Sequence, residues 1–220
     1  MVLGIITAIA ACPAIVGTNE AIMISQRKQA KEEHRTRKTN LVVACSDPSA
    51  KAEDVDQSFV VLRDHKLWIA TRPDAEDDEG RELLKRSHRF AGYFFNHPEH
   101  KWPGGGQGFV STIMEEPPML NWIYVDKDTN EVKYGTKHES MGHKLGPWNC
   151  TPVDKRVTFE KWEGFCAVEE EPGRWGLYFD CLDDGLDGKV PLTKPMLEVE
   201  LIRKEMRIPP VEEADQGPPS

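Results

Sequence analysis

Between Glu116 and Asp180, short runs of aromatic and β-branched residues are cut apart by turn residues. The stretch reads Glu-Pro-Pro-Met-Leu-Asn-Trp-Ile-Tyr-Val-Asp, a polar turn, then Glu-Val-Lys-Tyr-Gly. After a loop come Val-Thr-Phe-Glu-Lys-Trp-Glu-Gly-Phe-Cys-Ala-Val and Trp-Gly-Leu-Tyr-Phe-Asp. Such residues suit a pleated, half-buried surface, and the spacing predicts consecutive antiparallel strands. This pattern constrains the fold and carries no chemistry.

The turns inside the stretch can be read individually. Trp122–Asp126 and Glu131–Gly135 predict a hairpin. Its turn, Asp126-Lys-Asp128-Thr-Asn130, starts like a calcium loop but has Glu131 where glycine is needed and Lys137 where the closing glutamate belongs. Glu171-Pro172-Gly173-Arg174 predicts a type II turn. Asp183 to Gly188 is a further acidic turn. Leu197 to Arg203 alternates apolar and polar residues, as a half-buried strand does.

Upstream, Leu41–Cys45 is a buried-strand run. Phe59–Leu62 and Leu67–Ala70 predict a hairpin, and Arg89–Phe95 another strand. Pro73–Gly80 reads as an acidic, solvated loop. The glycines of Pro98–Gly108 have no following Lys-Ser/Thr and open no helix, so they form a loop and not a phosphate cradle. The expected fold is mainly β: a single antiparallel barrel or sandwich domain over residues 40–204, of roughly eight strands, preceded by an N-terminal helical arm. Residues 205–220 are expected as a disordered tail, since Ile208–Ser220 holds four prolines and an acidic cluster.

The arm spans residues 1–38. Val2–Val16 is apolar except for Thr7. It is shorter than the roughly 20 residues of a spanning helix, Pro13 interrupts it, and no basic segment precedes it as in a signal peptide. Ile9-Ala10-Ala11-Cys12 has the outline of a lipoprotein box but lacks that basic start. Small residues at Gly4, Ala8, Ala11 and Ala14 permit close helix approach. Docking or self-association, membrane attachment and a cleaved signal all stay open. Thr18 or Asn19 can cap a second helix, about Glu20 to Arg37, whose later turns are charged. An apolar run followed by basic residues suits a membrane surface; a solvated helix with pairs such as Lys28–Glu32 is the alternative. The interaction residues expected here are Leu3, Ile5, Ile6, Ile9 and Ile15, with Arg27, Lys28, Lys31, Arg35, Arg37 and Lys38.

A net charge of −9 over 220 residues argues against a general nucleic-acid binder, because phosphate contacts need a basic field. Cys12, Cys45, Cys150, Cys166 and Cys181 are odd in number and thinly spread, and no C-x-x-C pair occurs. Cys166 and Cys181 fall in predicted strands as small buried hydrophobes; one bridge among Cys150, Cys166 and Cys181 is the alternative. No nucleophile elbow, Walker loop, dinucleotide glycine fingerprint or H-E-x-x-H occurs. His97 with His100 and His138 with His143 are the nearest approach to metal pairs, and neither spacing recommends itself. Trp68, Trp122, Trp148, Trp162 and Trp175 read mostly as core, with a lined pocket as the minority reading. No cofactor, metal or catalytic residue is expected.

Three segments carry a family resemblance: Arg37-Lys-Thr-Asn-Leu-Val-Val, Pro117-Pro-Met-Leu-Asn-Trp-Ile-Tyr-Val-Asp and Trp162-Glu-Gly-Phe-Cys-Ala-Val-Glu-Glu-Glu-Pro-Gly. In these the chain resembles a family of uncharacterised proteins of filamentous ascomycete fungi, over most of its length. The resemblance implies a eukaryotic, intracellular setting and brings no activity with it. The expectation is therefore a non-catalytic interaction or scaffold protein, cytoplasmic and able to associate with membranes, whose arm self-associates or attaches to a membrane surface. A small-ligand-binding barrel, or an enzyme with a pocket in the β domain, is the alternative.

Overall fold

The computed structural model describes residues 33–71, 77–102, 106–114 and 119–206. Their strands fall into three successive groups of four. The first group is β1 (Thr39–Ala44), β2 (Phe59–Arg63), β3 (Lys66–Ala70) and a broken fourth member, β4 (His88–Arg89) with β5 (Gly92–Phe95). The second is β6 (Gly108–Met114), β7 (Met119–Val125), β8 (Val132–Gly135) and β9 (Trp148–Cys150). The third is β10 (Val157–Phe159), β11 (Phe165–Glu171), β12 (Arg174–Phe179) and β13 (Met196–Glu205).

First and fourth strands pair in sequence around a ring. β1 joins β13 along its whole length, from Thr39↔Glu205 to Ala44↔Glu200, and β5 joins β6, as β9 joins β10. The other three junctions are single bridges: Thr39↔Gly92, Gln107↔Trp148 and Arg156↔Ile202. With half its seams so thin, the sheet is not a clear barrel, and it is not a two-layer sandwich. The middle strands form three hairpins, β2–β3, β7–β8 and β11–β12. Each hairpin touches both others, through Lys66↔Lys133, Gly176↔Trp68 and Glu131↔Tyr178. The hairpins therefore meet at one point.

Alternation puts one face of each strand into a common core. Leu41, Val43, Val60, Leu62, Leu67 and Ile69 come from the first group, Phe109, Ile123 and Val125 from the second, Phe165, Leu177 and Phe179 from the third. A chain of ring contacts crosses the groups: Phe94–Phe109 at 4.8 Å, Phe109–Trp148 at 5.5 Å, Trp148–Phe159 at 4.6 Å and Phe159–Phe179 at 4.9 Å. Each such pair contributes roughly 0.5–1.5 kcal/mol beyond its buried area. A second, smaller cluster of Cys166, Val168, Tyr178 and Leu186 lies outside β11–β12. Asp180 folds the following loop over it, its carboxylate accepting from Leu182 N–H at 3.2 Å and Gly185 N–H at 2.7 Å.

Several sequence expectations are corrected. The chain has thirteen strands among the described residues, not about eight. Residues 89–95 do not form one strand but break at Phe90–Ala91, where the buried Phe90 ring turns into the core. Two strands fall outside the sequence expectations: β9 is only three residues long, and β6, Gly-Phe-Val-Ser-Thr-Ile-Met, has strand residues directly after the glycine-rich loop. Of the expected Pro73–Gly80 loop, residues 73–76 lie outside the described residues, and Asp78–Gly80 are helical: a helix runs over Asp78–Arg86, preceded by a short one at Ala52–Val55 and followed by another at Lys137–Ser140. These are α1 (Ala52–Val55), α2 (Asp78–Arg86) and α3 (Lys137–Ser140). Cys181 lies just past β12 instead of within a strand. The hairpin turns stand as read: Asp64 and His65 both have positive φ, and Gly173, at φ 72°, takes the left-handed position that a type II turn needs.

The chain divides into two compact units, Met1–Arg37 and Lys38–Ser220. In the first, residues 33–36 are helical and the Arg37 guanidinium pairs with Glu33 one turn earlier. The rest of the expected arm and the tail beyond 206 lie outside the described residues, as do Leu3, Ile5, Ile6, Ile9, Ile15, Arg27, Lys28 and Lys31. No helix among the described residues is long and apolar enough to cross a membrane.

Candidate ligand-binding groove

The outer face of the first hairpin is left partly open. Phe59, Val61 and Arg63 point outward from β2, and Trp68 and Ala70 from β3. Helix α2 lies on one side, the β11–β12 turn at Pro172–Arg174 on another, and the loop around α1 at the end. Together they bound a groove of about 1150 Å³. That is the size of a small-molecule site, which spans about 300–1,000 Å³, or slightly more.

Local sequence explains the walls. Asp77 caps α2 by accepting from Gly80 N–H at 2.8 Å, and acidic residues in the first turn and Lys85 and Arg86 in the last suit the helix dipole. No residue of α2 is fully buried. Leu83 and Leu84 line the groove, and Leu84 stays 40% exposed. The helix rests on the hairpin without closing the space beneath it.

Three guanidinium groups line this space. Arg63 lies over the Trp68 ring at 4.5 Å and Arg89 over Phe59 at 4.0 Å. Arg174 pairs with Glu79 of α2 at 3.1 Å and with Glu171. The Arg63 side chain is only 14% exposed, and its Nε is out of water with no hydrogen-bond partner. Burial pulls its pKa down, and the nearby Arg174 charge adds to this against the opposing pull of Asp64. Glu53, Asp54 and Asp56 crown the α1 end, so the groove is polar in both senses of charge. Its serines are occupied: Ser58 Oγ donates to Asp54 O at 3.3 Å and Ser87 Oγ to Leu83 O at 2.7 Å.

A different cluster fills the point where the hairpins meet. Lys66, 6% exposed, donates to Glu131 at 2.7 Å, to Tyr178 Oη at 3.1 Å and to Glu170. Lys133 bridges Asp126 at 2.9 Å and Glu131 at 2.8 Å. Burial pushes the Asp126 and Glu131 carboxyls up. The Lys133 ammonium outweighs it, with backbone N–H groups at Asp126 and Lys66 at Glu131, and both drop to about 2. The Tyr178 hydroxyl is driven far up by burial and by the two glutamates. Gly176 belongs to this arrangement: a Cβ there would sit 2.2 Å from Glu170 Oε1. Every hairpin contributes, so the network reads as the fastening of the hairpins to one another.

The histidine pairs are structural. His97 Nδ1 accepts from the backbone N–H of Glu99 and of His100, both at 3.1 Å, and its ring packs on His100 and Trp122. Burial and the neighbouring His100 and Lys137 charges lower its pKa. His143 stacks on Tyr124 at 5.0 Å. The described cysteines, Cys45, Cys150, Cys166 and Cys181, are unbridged, and burial pushes the Cys166 thiol up to about 12. No group of three metal-ligating side chains occurs among the described residues.

Of the interaction residues read from sequence, Arg35, Arg37 and Lys38 are described, and none lines the groove. The residues that do were missed. For Trp68 the sequence favours a core position, with a lined pocket as the minority reading; it does not single out Arg63 or Arg89. Alternation could have found them: each lies in a strand at a position that faces away from the core.

Three four-strand groups, their outer strands in a ring and their three hairpins fastened at one end, define a β-trefoil. The family model of the fungal beta-trefoil domain matches residues 17–207, and the chain belongs to that family. The family is a fungal one; its description does not narrow to filamentous ascomycetes. Comparison with curated proteins and with solved structures returns no match.

Proposed function

We propose that this chain is a non-catalytic interaction protein whose β-trefoil domain holds a ligand in the groove over β2–β3. The groove itself carries the reading. It is concave, has Trp68 and Phe59 on its floor, and offers charged groups at its rim. The enzyme alternative asks for a nucleophile beside a base. No histidine or cysteine is among the described groove residues, and Ser58, Ser87 and Thr71 all donate to backbone carbonyls, which leaves only carboxylates for either role. The test is a fragment screen by two-dimensional NMR on the full chain. Chemical-shift changes grouped at Phe59, Trp68 and Leu83 support the reading; changes scattered elsewhere, or none, defeat it.

The arm adds a second element to the proposal. Leu3, Ile5, Ile6, Ile9 and Ile15 carry apolar surface worth roughly 1.5–3 kcal/mol per buried side chain. The basic residues Arg27, Lys28, Lys31, Arg35, Arg37 and Lys38 follow at once. Self-association or peripheral attachment to an anionic membrane accounts for both features. Light scattering and liposome flotation of the full chain, against a chain beginning at Lys38, separate the outcomes. Salt-sensitive flotation of the full chain alone supports the membrane, and oligomers without flotation support self-association. Two monomeric chains that do not float defeat both.

A further inference from the structure

We infer that the groove takes a ligand with an oxyanion on a flat or apolar body, the oxyanion seated by Arg63 and Arg174 beside Trp68. The inference rests on the groove being a binding site. Buried donors without a partner are rare in folded proteins, and two side chains of the groove hold one. Arg63 Nε is shielded from water and makes no hydrogen bond, although the Asp64 carboxylate lies 3.4 Å away. The Trp175 indole N–H is in the same condition. A missing partner alone marks no site, since Trp148 in the core also lacks one. What distinguishes Arg63 is a guanidinium that borders open space and shares that space with a second guanidinium.

Arg63 and Arg174 both line the groove. Glu79 and Glu171 hold the Arg174 pKa up against burial, whereas burial pulls the Arg63 pKa down in spite of Asp64 and Glu170. Asp64 is 81% exposed, Glu79 74% and Glu171 62%. Ion pairs so open to water are weak and can be exchanged. A guanidinium fork matches a carboxylate or phosphate with two parallel hydrogen bonds, more strongly where water is excluded. Trp68, held by its indole N–H on Arg63 O at 3.2 Å, already carries Arg63 and Lys66 against its ring, so the uncharged body is left the apolar lining of Val61, Leu83 and Leu84. Glu53, Asp54 and Asp56 at the far end reject a second anionic group, which limits the ligand to a charged head and an uncharged body.

The test is calorimetry on the full chain with phenyl phosphate, benzoate and benzyl alcohol, in low and high salt. At least one of the two anions is expected to bind about tenfold tighter than benzyl alcohol, and to weaken in high salt. Which anion it is decides between phosphate and carboxylate. Arg63→Met, which keeps a side chain over Trp68, is expected to lose that preference about tenfold, and Arg174→Gln to reduce it while leaving the hairpin untouched. Equal binding of all three probes, or anion binding unchanged in both variants, overturns the oxyanion and leaves the groove reading intact. If no probe and no fragment shifts a groove residue, both fall together.

Discussion

Two cations with opposite circumstances lie against Trp68. Lys66 is 5.0 Å from its ring and Arg63 4.5 Å. Both are largely buried and both stack on the same indole. Lys66 has three partners, two glutamates and a tyrosine hydroxyl, drawn from the other two hairpins. Arg63 has one carboxylate at its Nε, the exposed Asp64 at 3.4 Å, outside hydrogen-bond geometry. Burial alone therefore says little about what a charge is for. A buried cation whose partners come from every neighbouring element fastens the fold, whereas one left short of partners beside open space is available to a ligand.

The comparison breaks most visibly if Lys66 is neutralised. Lys66→Met leaves Glu131 and Glu170 facing each other without their shared cation. Removing one member of a buried ion pair costs about 3–5 kcal/mol. Urea denaturation should show a loss of that order, and Lys66→Met combined with Glu170→Gln should recover part of it. A loss below about 1 kcal/mol would mean that the network does not fasten the hairpins.

Acid should undo the same network without mutation. Asp126 and Glu131 titrate near 2 in the fold against ordinary values of 3.8 and 4.5. A depressed carboxylate binds fewer protons folded than unfolded. Its stabilisation is complete above about pH 4.5 and is lost as pH falls toward 2, by a few kcal/mol in all. Thermal melts from pH 6 to pH 2 should show most of the loss in that lower interval, and Lys133→Met should flatten it. A melting temperature that is level from pH 4.5 to 2.5 would rule the coupling out.

How much of this was open to sequence reading depends on how local each feature is. The β character, the hairpins β2–β3, β7–β8 and β11–β12, and strand β13 follow from alternation and turn residues close together in the chain. The threefold plan does not. Its repeats open at Thr39, Gly108 and Val157, unequally spaced, because α2 and its flanking loops lengthen the first. Their core residues also differ: Leu41 and Val43 open the first, Phe109 the second, Val157 and Phe159 the third. Helix α2 was misread because an acidic first turn with an Asp77 cap resembles a solvated loop until Lys85 and Arg86 are weighed as its other end. The groove was illegible for another reason. Arg63, Trp68, Leu83 and Arg174 come together only through strand pairing and the β11–β12 turn, and no local spacing records that.

A smaller effect is expected at His97, outside both cation sites. Its neutral ring accepts two backbone N–H bonds, and its pKa lies below the usual 6.5. The unfolded chain then binds the proton first. Stability from this residue is complete above about pH 6.5 and falls as the pH drops below that, ahead of the carboxylate window. His97→Asn, whose side-chain oxygen can accept the same two bonds, should remove the early slope and cost about 1 kcal/mol at pH 7. A persisting slope would assign it to another histidine.

The smallest change is expected where the comparison is most direct, with the same substitution at the other cation against Trp68. Arg63→Met removes a cation–π contact worth about 0.5–1 kcal/mol at a partly exposed site. It also removes a buried donor whose Nε has only the exposed Asp64 carboxylate, 3.4 Å away, to offset a desolvation cost of about 1–3 kcal/mol. Methionine keeps a flexible apolar stem over the indole and preserves the packing. The two terms nearly cancel, so urea denaturation should give a stability within about 1 kcal/mol of the parent, unchanged or slightly higher. Lys66→Met and Arg63→Met would then differ by several kcal/mol although both delete one cation from the same tryptophan. An Arg63→Met loss as large as that of Lys66→Met would show that Arg63 is also a fastening. The distinction between the two cations against Trp68 would then fail.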